Sequence, residues 1–272
     1  MRQFLRPRWI VAHVFVLAVC VGCVIAGFWQ LDRLAERRLS NSVQVARFQQ
    51  EPLPIEDLVA AAGEDLDSLE YRWAEATGRF IPDEELLVRS QVYQGRAGFD
   101  IVTPLVLDDG TAVVVNRGWV PLEFDTAPVT AAPPPAGTVT VEAVVRVPAD
   151  RPSGDTQTST LSRVDVEAFR SRSDRSFLPV YLEIVGSGDS TTIPVPEPPP
   201  DFTDEGPHLS YAVQWFSFAI VGVVGYGFLL RRSLRRSGRD SEIVDDFDAR
   251  EPDEIGSGQA DLGTPGSGAD HD

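Results

Sequence analysis

An imidazole and two aromatic rings occur together where the second apolar segment of the chain begins. Tyr211 and Trp215 follow His208 at spacings of three and seven residues, which place all three side chains on one face of a helix. Two interpretations are open. The histidine could be an axial ligand of haem iron beside rings that lie along the macrocycle, or it could be an ordinary polar residue in an interfacial belt of Trp and Tyr.

A second polar cluster closes the first apolar segment. Trp29 and Gln30 lie at its end, and Arg33 follows about one helical turn later. If both chain termini lie on one side of a membrane, this cluster is level with His208 and can face it. In the haem interpretation, the arginine guanidinium would bind the propionates. His13 lies roughly 25 Å from this end of the segment, at about 1.5 Å per residue, and is too distant to join the site.

A third candidate lies between the two apolar segments. Asn116-Arg117-Gly118-Trp119 ends a predicted strand, which could carry Arg117 and Trp119 toward the membrane surface. There the guanidinium would supply a donor for propionates or for an acidic partner. In the alternative, Gly118 makes a turn and Trp119 packs against the sheet, as a buried indole often does.

The two cysteines of the chain are better explained by packing than by chemistry. Cys20 and Cys23 lie inside the first apolar segment, among small residues that recur every four positions. Such rows allow another helix to approach closely. One row contains Cys23 and Gly27, and the other contains Ala18, Gly22 and Ala26.

Residues 32–205 contain no histidine and no cysteine. This excludes Ser-His-Asp and Cys-His catalytic centres in that region, and acid pairs such as Glu84-Glu85 and Asp108-Asp109 are expected to be solvated turn residues. We therefore expect that the protein is not an enzyme. The 24 basic residues, all arginine, are outnumbered by 41 acids, for a net charge of −17, which argues against nucleic acid as a partner.

Two segments are long and apolar enough to cross a membrane, which takes about 20 residues. All 23 residues of the range 9–31 lack a formal charge, and so do all 25 residues of the range 206–230. Residues 1–8 carry three arginines and residues 231–272 begin with five more, whereas residues 32–205 carry 30 acids and 15 arginines. Because positive charge marks the cytoplasmic side, we expect a multi-pass protein of the cell membrane with both termini cytoplasmic and the central domain extracytoplasmic.

The predicted fold is a membrane protein with two transmembrane helices flanking an extracytoplasmic α+β domain with a mainly antiparallel β-sheet. Alternating and β-branched runs predict strands, and an Asp-Gly turn at 109–110 predicts a hairpin. Helices are predicted over residues 31–50 and 165–170. The proline-rich residues 193–200 are expected to form an extended linker, and the acidic tail from residue 240 is expected to be disordered. The predicted strands cover residues 71–80, 86–91, 99–107, 111–116, 138–147 and 178–185.

Four sequence blocks together resemble the Surfeit locus protein 1 family, and they occur in that family's order between about residues 20 and 230. Residues 149–200 match the family only loosely, and Pro207 precedes His208 where many relatives have Asn. The blocks are Gly27-Phe-Trp-Gln-Leu-Asp-Arg33, Phe99-Asp-Ile-Val-Thr-Pro104, Val115-Asn-Arg-Gly-Trp-Val-Pro121 and His208-Leu-Ser-Tyr-Ala-Val-Gln-Trp-Phe216.

The resemblance implies an assembly factor for haem-copper cytochrome c oxidase, a protein of respiratory-chain biogenesis that acts as a haem a chaperone. It makes His208 the candidate ligand of the haem iron, and the motifs at residues 29–33 and 117–119 join it as candidate binding residues for an a-type haem. The implied partners are the oxidase catalytic subunit, the haem a synthesis machinery and membrane lipid. The alternative is a cofactor-free scaffold that docks and stabilises oxidase subunits through its extracytoplasmic domain.

Overall fold

The computed structural model describes residues 7–149, 159–187 and 192–248. Contacts within the chain divide it into two compact units. One unit combines the N-terminal residues up to 31 with the residues from 207 onward, and the other spans residues 32–206.

Two long helices dominate the first unit, namely α1 (Pro7–Phe48), which continues into the second unit, and α4 (His208–Asp248). Both contain a stretch that is long and apolar enough to cross a membrane, by length and composition. The orientation of the termini stays a prediction. As expected, α1 runs on without a break beyond residue 31.

Helix α4 extends to Asp248 and so includes residues 240–248 of the tail, whose disorder stays a prediction. Once a helix exists, each added residue gains a hydrogen bond without the cost of a new nucleus, which an acidic composition alone does not offset. Residues 249–272 of the predicted tail lie outside the described residues.

Small residues line the contact between α1 and α4, which run antiparallel. Cys20, Cys23 and Gly27 are buried on α1, and Ala212 and Ala219 are buried on α4. The sulfur of Cys20 lies 3.9 Å from the carbonyl oxygen of Ala219. The predicted packing role of the cysteines is therefore confirmed.

The second predicted row of small residues does not pack. Ala18 and Gly22 are exposed, and a Cβ added at Gly22 would meet no atom within 4 Å. The buried positions Cys20 and Gly27 lie seven residues apart, which is about two helical turns. The seam, by which we mean the line of contact between α1 and α4, therefore includes Cys20, Cys23 and Gly27 and does not include Ala18 or Gly22.

The β-strands of the second unit form one sheet. The strands are β1 (Leu53–Pro54), β2 (Trp73–Phe80), β3 (Leu86–Tyr93), β4 (Arg96–Leu107), β5 (Ala112–Pro121), β6 (Val139–Arg146), β7 (Thr160–Leu161) and β8 (Phe177–Glu183). The helices are α2 (Ile55–Ala62) and α3 (Val166–Arg170), with 3-10 turns at Leu66–Leu69 and Pro82–Glu84.

The sheet closes on itself into a barrel. Its order is β1-β2-β6-β8-β5-β4-β3-β7, and β2 also pairs with β4, so that β2, β6, β8, β5 and β4 form a ring. Around this ring, within the described residues, the β5–β8 pairing is parallel and the other four are antiparallel. The closure depends on Gly78, where a Cβ would lie 2.2 Å from the carbonyl oxygen of Val106. The sheet is thus mixed and closed, which the strand patterns did not reveal.

The barrel interior is filled by small and β-branched side chains. Ala74, Ala76 and Ala143 are completely buried, which leaves room for the larger side chains that complete the core. Helix α2, which was not predicted, packs Ile55 and Leu58 against this core. A separate cluster lies beneath α3, where Phe169 is buried.

The proline-rich residues 193–200, predicted to form an extended linker, lie in the barrel unit and pair in part with its strands. Val195 is buried and pairs with Trp119, and Glu197 pairs with Val185. The amides of Val195 and Glu197 donate to the carbonyl oxygens of Trp119 and Ile184 at 2.8 and 3.0 Å. Pro194 and Pro196 lie on either side of Val195 at positions that need not donate, since proline lacks the N–H that a strand ladder uses.

Residues 32–48 of α1 are fastened to the barrel unit near its last residues. Arg38 makes two hydrogen bonds of 2.8 Å to the carboxylate of Glu205. Phe48 contacts the rings of Trp73 and Phe202, with ring centroids 5.2 and 5.6 Å apart. The end of α1 is therefore held by both an ion pair and an aromatic cluster.

The seam between α1 and α4 gives a first prediction. A Cβ at Gly27 would lie 2.6 Å from the ring of Phe216, so Gly27→Leu should force the two helices apart. Overpacking of this kind costs about 1–3 kcal/mol.

Cross-linking measures this separation. In a Cys23→Ala background, a cysteine introduced by Ala219→Cys should couple to Cys20 under mild oxidation. Gly27→Leu should reduce the rate several-fold, whereas the matched control Gly22→Leu should not change it. Equal rates in all three proteins would contradict the packed seam.

Candidate functional site

His208 is held by a hydrogen bond from its ring to the opposite helix. Its Nδ1 lies 2.9 Å from Oε1 of Gln30. An amide oxygen can only accept a hydrogen bond, so Nδ1 is the donor in this contact, and in the neutral ring Nε2 is then the nitrogen with the lone pair. Histidines that bind metals commonly donate their other ring nitrogen in this way, which fixes the ring and its tautomer.

The aromatic candidates lie around this pair on the surface of the helices. Trp29 is 52% exposed, Tyr211 is 47% exposed and Trp215 is 36% exposed. Trp215 makes an edge-to-face contact with Phe218, with ring centroids 5.9 Å apart. Exposed amphipathic rings are typical of a membrane boundary and are equally available to a flat apolar ligand, so their haem-binding role stays a prediction.

Arg33 lies beyond the end of the predicted span, in the part of α1 that belongs to the barrel unit. Its Nη1 is 2.7 Å from a carboxylate oxygen of Glu36 on the same helix. The side chain is about half exposed, so the ion pair contributes little to stability. A propionate could replace it as the partner of the guanidinium.

Arg117 lies at a β-bulge inside β5. Neighbouring residues Ile101 and Val102 of β4 pair with Gly118 and Asn116 respectively, so Arg117 is an extra residue in its strand. Gly118 has a φ of +116°, which favours glycine. Bulges commonly redirect a side chain, and here the redirected guanidinium enters the protein interior, where Arg117 is only 5% exposed.

The partner of Arg117 is a carboxylate that sequence reasoning placed in solvent. Glu85 is buried, which corrects the prediction that Glu84-Glu85 is a solvated pair. Its Oε2 accepts hydrogen bonds from Arg117 at 3.1 Å and from the Thr103 hydroxyl at 2.9 Å, and its Oε1 accepts from the amide of Val129 at 2.7 Å. The other Arg117 nitrogen donates to the carbonyl oxygen of Ala132 at 2.7 Å.

Burial lowers the pKa of Arg117, and the charge of Glu85 opposes that shift. An ion pair this deep is costly to break because one charge would remain without a partner. In the structure, Arg117 therefore secures the barrel. Its predicted contact with propionates stays a prediction.

Trp119 packs against the sheet, as the alternative interpretation proposed. It is 4% exposed, and its ring lies 5.3 Å from that of Tyr93. Gly98 makes this possible, since a Cβ there would lie 2.4 Å from the indole nitrogen. Gly118, by contrast, lies within β5 rather than in a turn.

Sequence reasoning missed a second buried charged cluster, which surrounds Asn116. Asp100 is 5% exposed and Asn116 is 2% exposed. Burial and the charges of Glu197 and Glu183 raise the pKa of Asp100 to about 8, although a hydrogen bond from Asn116 opposes the shift. Burial likewise raises the pKa values of Glu183 and Glu197. The residues of this cluster are far apart in the chain, so no local sequence pattern predicts it.

The helix pair has a second polar contact toward the other end of α1. The hydroxyl of Tyr226 is hydrogen-bonded to Nδ1 of His13, and the His13 ring also approaches Trp9 with centroids 6.1 Å apart. His13 thus has a partner of its own in Tyr226, which agrees with the prediction that it does not join the His208 site.

Over the described ranges, no group of three or more His, Cys, Asp or Glu residues is arranged to hold a metal ion. His208 therefore offers one nitrogen ligand rather than a complete coordination shell. A metal carried inside a macrocycle needs only such an axial ligand from the protein.

Comparison with known proteins identifies the family. The model of the SURF1 family matches residues 17–220. The chain belongs to the SURF1 family. The resemblance found in the sequence to the Surfeit locus protein 1 family is thereby confirmed, and the match includes both Gln30 and His208.

Similar proteins occur in distant organisms. An uncharacterized SURF1-like protein of Mycobacterium tuberculosis is 28% identical over 251 residues, which cover 87% of this chain and 88% of that protein. A SURF1-like protein of Monosiga brevicollis is 30% identical over 247 residues, covering 82% and 89%. One of Rickettsia bellii is 33% identical over 107 residues, covering 38% and 41%.

The buried ion pair gives a second prediction. Arg117→Met should lower the free energy of unfolding of the barrel by about 3–5 kcal/mol, because it leaves Glu85 buried and unpaired. Urea denaturation of the detergent-solubilised protein, followed by tryptophan fluorescence, measures the change. The exposed Arg79 on β2 supplies the matched control, and Arg79→Met should change stability by less than about 0.5 kcal/mol. A stable Arg117→Met protein would show that Arg117 is not needed for the barrel.

Proposed function

We propose that this SURF1-family protein is an assembly factor for haem-copper cytochrome c oxidase that binds an a-type haem through His208 and aids its insertion into the catalytic subunit. The observation that carries the proposal is the hydrogen bond from His208 to Gln30. It supplies the tautomer required of an iron ligand. The family, which is linked to oxidase assembly, supplies the biological setting.

The residues present fit the group. A haem would supply an iron that binds a nitrogen ligand, a flat apolar ring and two acidic propionates. His208 would hold the iron through Nε2, and Gln30 would keep the imidazole in place. Exposed aromatic rings on the same helix pair would contact the macrocycle, and Arg33 would pair with a propionate.

The location follows from the composition of the two helices. His208 and Gln30 lie where the apolar stretches of α4 and α1 give way to polar sequence, which we expect to be the extracytoplasmic boundary of the cell membrane. A haem held there would be reachable from the bilayer. The oxidase catalytic subunit and the haem a synthesis machinery are the proposed partners.

The barrel unit would then act as the docking module. Residues 32–205 carry 30 acids against 15 arginines, and such an excess favours partners with basic surfaces through long-range attraction. A scaffold that only docks oxidase subunits would use the same surface without any haem. The two functions therefore differ in whether His208 is needed.

The third prediction separates them. The purified protein, from cells that make a-type haem, should show a haem signal in its reduced-minus-oxidised visible spectrum. His208→Ala should lose that signal because the iron ligand is gone, while the membrane level and the circular dichroism spectrum stay unchanged.

His13→Ala provides the matched control, since it removes the other imidazole of the helix pair, and it should retain the haem. A signal that persists in His208→Ala would contradict the ligand assignment. If no protein carries haem, but an oxidase subunit co-purifies with both the parent and His208→Ala, the scaffold function is favoured.

The fourth prediction concerns Gln30. Gln30→Leu removes the acceptor of the His208 proton and should weaken haem binding by about 10–100-fold, as loss of such supporting hydrogen bonds typically does. Gln30→Glu keeps an acceptor oxygen and should restore most of the affinity. Haem titration followed by absorbance measures both variants. Equal affinity in Gln30→Leu and the parent would show that the hydrogen bond does not position the ligand.

A further inference from the structure

The chain between the barrel and α4 is held in the barrel by an arrangement that includes acidic groups. Val195 exchanges two hydrogen bonds with Trp119, at 2.7 and 2.8 Å. Glu197 accepts from the amide of Gly186 at 2.9 Å and donates its own amide to Ile184 at 3.0 Å. We call residues 193–200 the return segment, since they bring the chain back along β5 and β8 before α4.

The side chain of Glu197 reaches a second carboxyl group inside this arrangement. That group is the carboxyl of Asp100 of β4, a residue that lies directly opposite Trp119 in the β4–β5 pairing, while Trp119 in turn pairs with Val195 of the return segment. Two neighbouring carboxylates repel each other, so their proximity is favourable only while one of the two groups holds a proton.

The surroundings of Asp100 give the same result independently. Its Oδ1 is buried and has no hydrogen-bond donor within the described residues. The Asn116 amide reaches the other oxygen, Oδ2, only at 3.5 Å. A buried carboxylate oxygen without a donor is costly, and a proton on the group relieves that cost.

We propose that Asp100 and Glu197 form a proton-operated latch that fastens the return segment to the barrel and releases it when the shared proton is lost. The latch acts on the stretch of chain that leads into α4. It does not depend on haem and can be tested without it.

The neighbouring charges determine the direction of the response. Glu183 of β8 adds negative charge next to Asp100. Arg146 of β6 is the nearby cation, but it is engaged with Glu70 at 3.1 Å and with Glu183 at 3.4 Å. Among the described residues, the same cluster also includes Tyr181, whose pKa burial raises, and Tyr71, whose ring centroid lies 4.6 Å from the Arg146 guanidinium carbon.

Release should occur on the alkaline side. The pKa of Asp100 is raised from its ordinary value of 3.8 to about 8, chiefly by burial and then by the charges of Glu197 and Glu183. The closed segment thus holds a proton that the open segment gives up. Its stabilising contribution is complete below about pH 4 and is lost as the pH rises through about 8.

Hydrogen exchange of the full chain in lipid nanodiscs tests the latch. Peptides that contain the amides of Val195 and Glu197 are followed between pH 6 and pH 8, with rates corrected for the intrinsic pH dependence of exchange. A single titrating group changes an opening equilibrium by at most about tenfold per pH unit. We expect protection of these amides to fall by at least tenfold over this range, while peptides from the centre of β5 stay protected.

Three variants make the test specific. Asp100→Asn and Glu197→Gln each replace a carboxyl by an amide that donates without titrating, so the segment should stay protected at pH 8. Glu142→Gln neutralises an exposed carboxylate on β6 and should behave like the parent. Protection that does not change with pH in the parent, or that falls equally in Asp100→Asn and Glu197→Gln, would overturn the latch. Loss of protection in β5 together with the segment would show global unfolding and would overturn it too.

Discussion

The buried ion pair between Glu85 and Arg117 is the contact on which the barrel unit depends. Its carboxylate comes from the residue immediately before β3, and its guanidinium comes from the bulge in β5. The pair also binds the Thr103 hydroxyl and the backbone at Val129 and Ala132. One cluster therefore joins β3, β4, β5 and the loop that follows β5. Because both charges are buried, separating them would leave an unpaired charge away from water, which costs free energy. The ion pair therefore also stabilises the bulge that directs Arg117 inward.

The helix pair follows a different rule. Between its polar contacts, His208 with Gln30 and His13 with Tyr226, the seam is lined by small residues, and the ring of Phe216 packs against one of them, Gly27. In an apolar surrounding there is little hydrophobic gain from packing two helices, so close contact and a few hydrogen bonds select the register. The hydrogen bond between His208 and Gln30 helps to fix how far the two helices are shifted along each other, and it also orients the imidazole of His208. The structural role and the proposed ligand-binding role thus meet in one contact.

Local patterns were enough for much of the fold and for part of the site. The β4–β5 hairpin follows from an Asp-Gly turn between two apolar runs, and the short helix α3 begins at the N-cap Asp165, whose side chain accepts from the amide of Glu167. What local patterns missed depends on partners far along the chain. Ring closure needs β2 to meet β4 at Gly78, and the burial of Glu85 follows from an arginine 32 positions later. The His208–Gln30 contact spans 178 positions, and it was anticipated only because a membrane would place both helix ends at one level.

The same two stretches of chain meet twice in the structure. Gln30 meets His208 in the helix pair, and Arg38 meets Glu205 in the barrel unit. Within each stretch the two contact points are separated by only a few residues, eight along α1 and three before α4. Residues on α1 are connected by a continuous helix, which resists bending, whereas the chain before α4 is irregular from the return segment to Gly206. The acidic pair that we propose to hold the return segment thus precedes an irregular stretch rather than a helical one, and a change in its contacts need not break the hydrogen bonds of a helix.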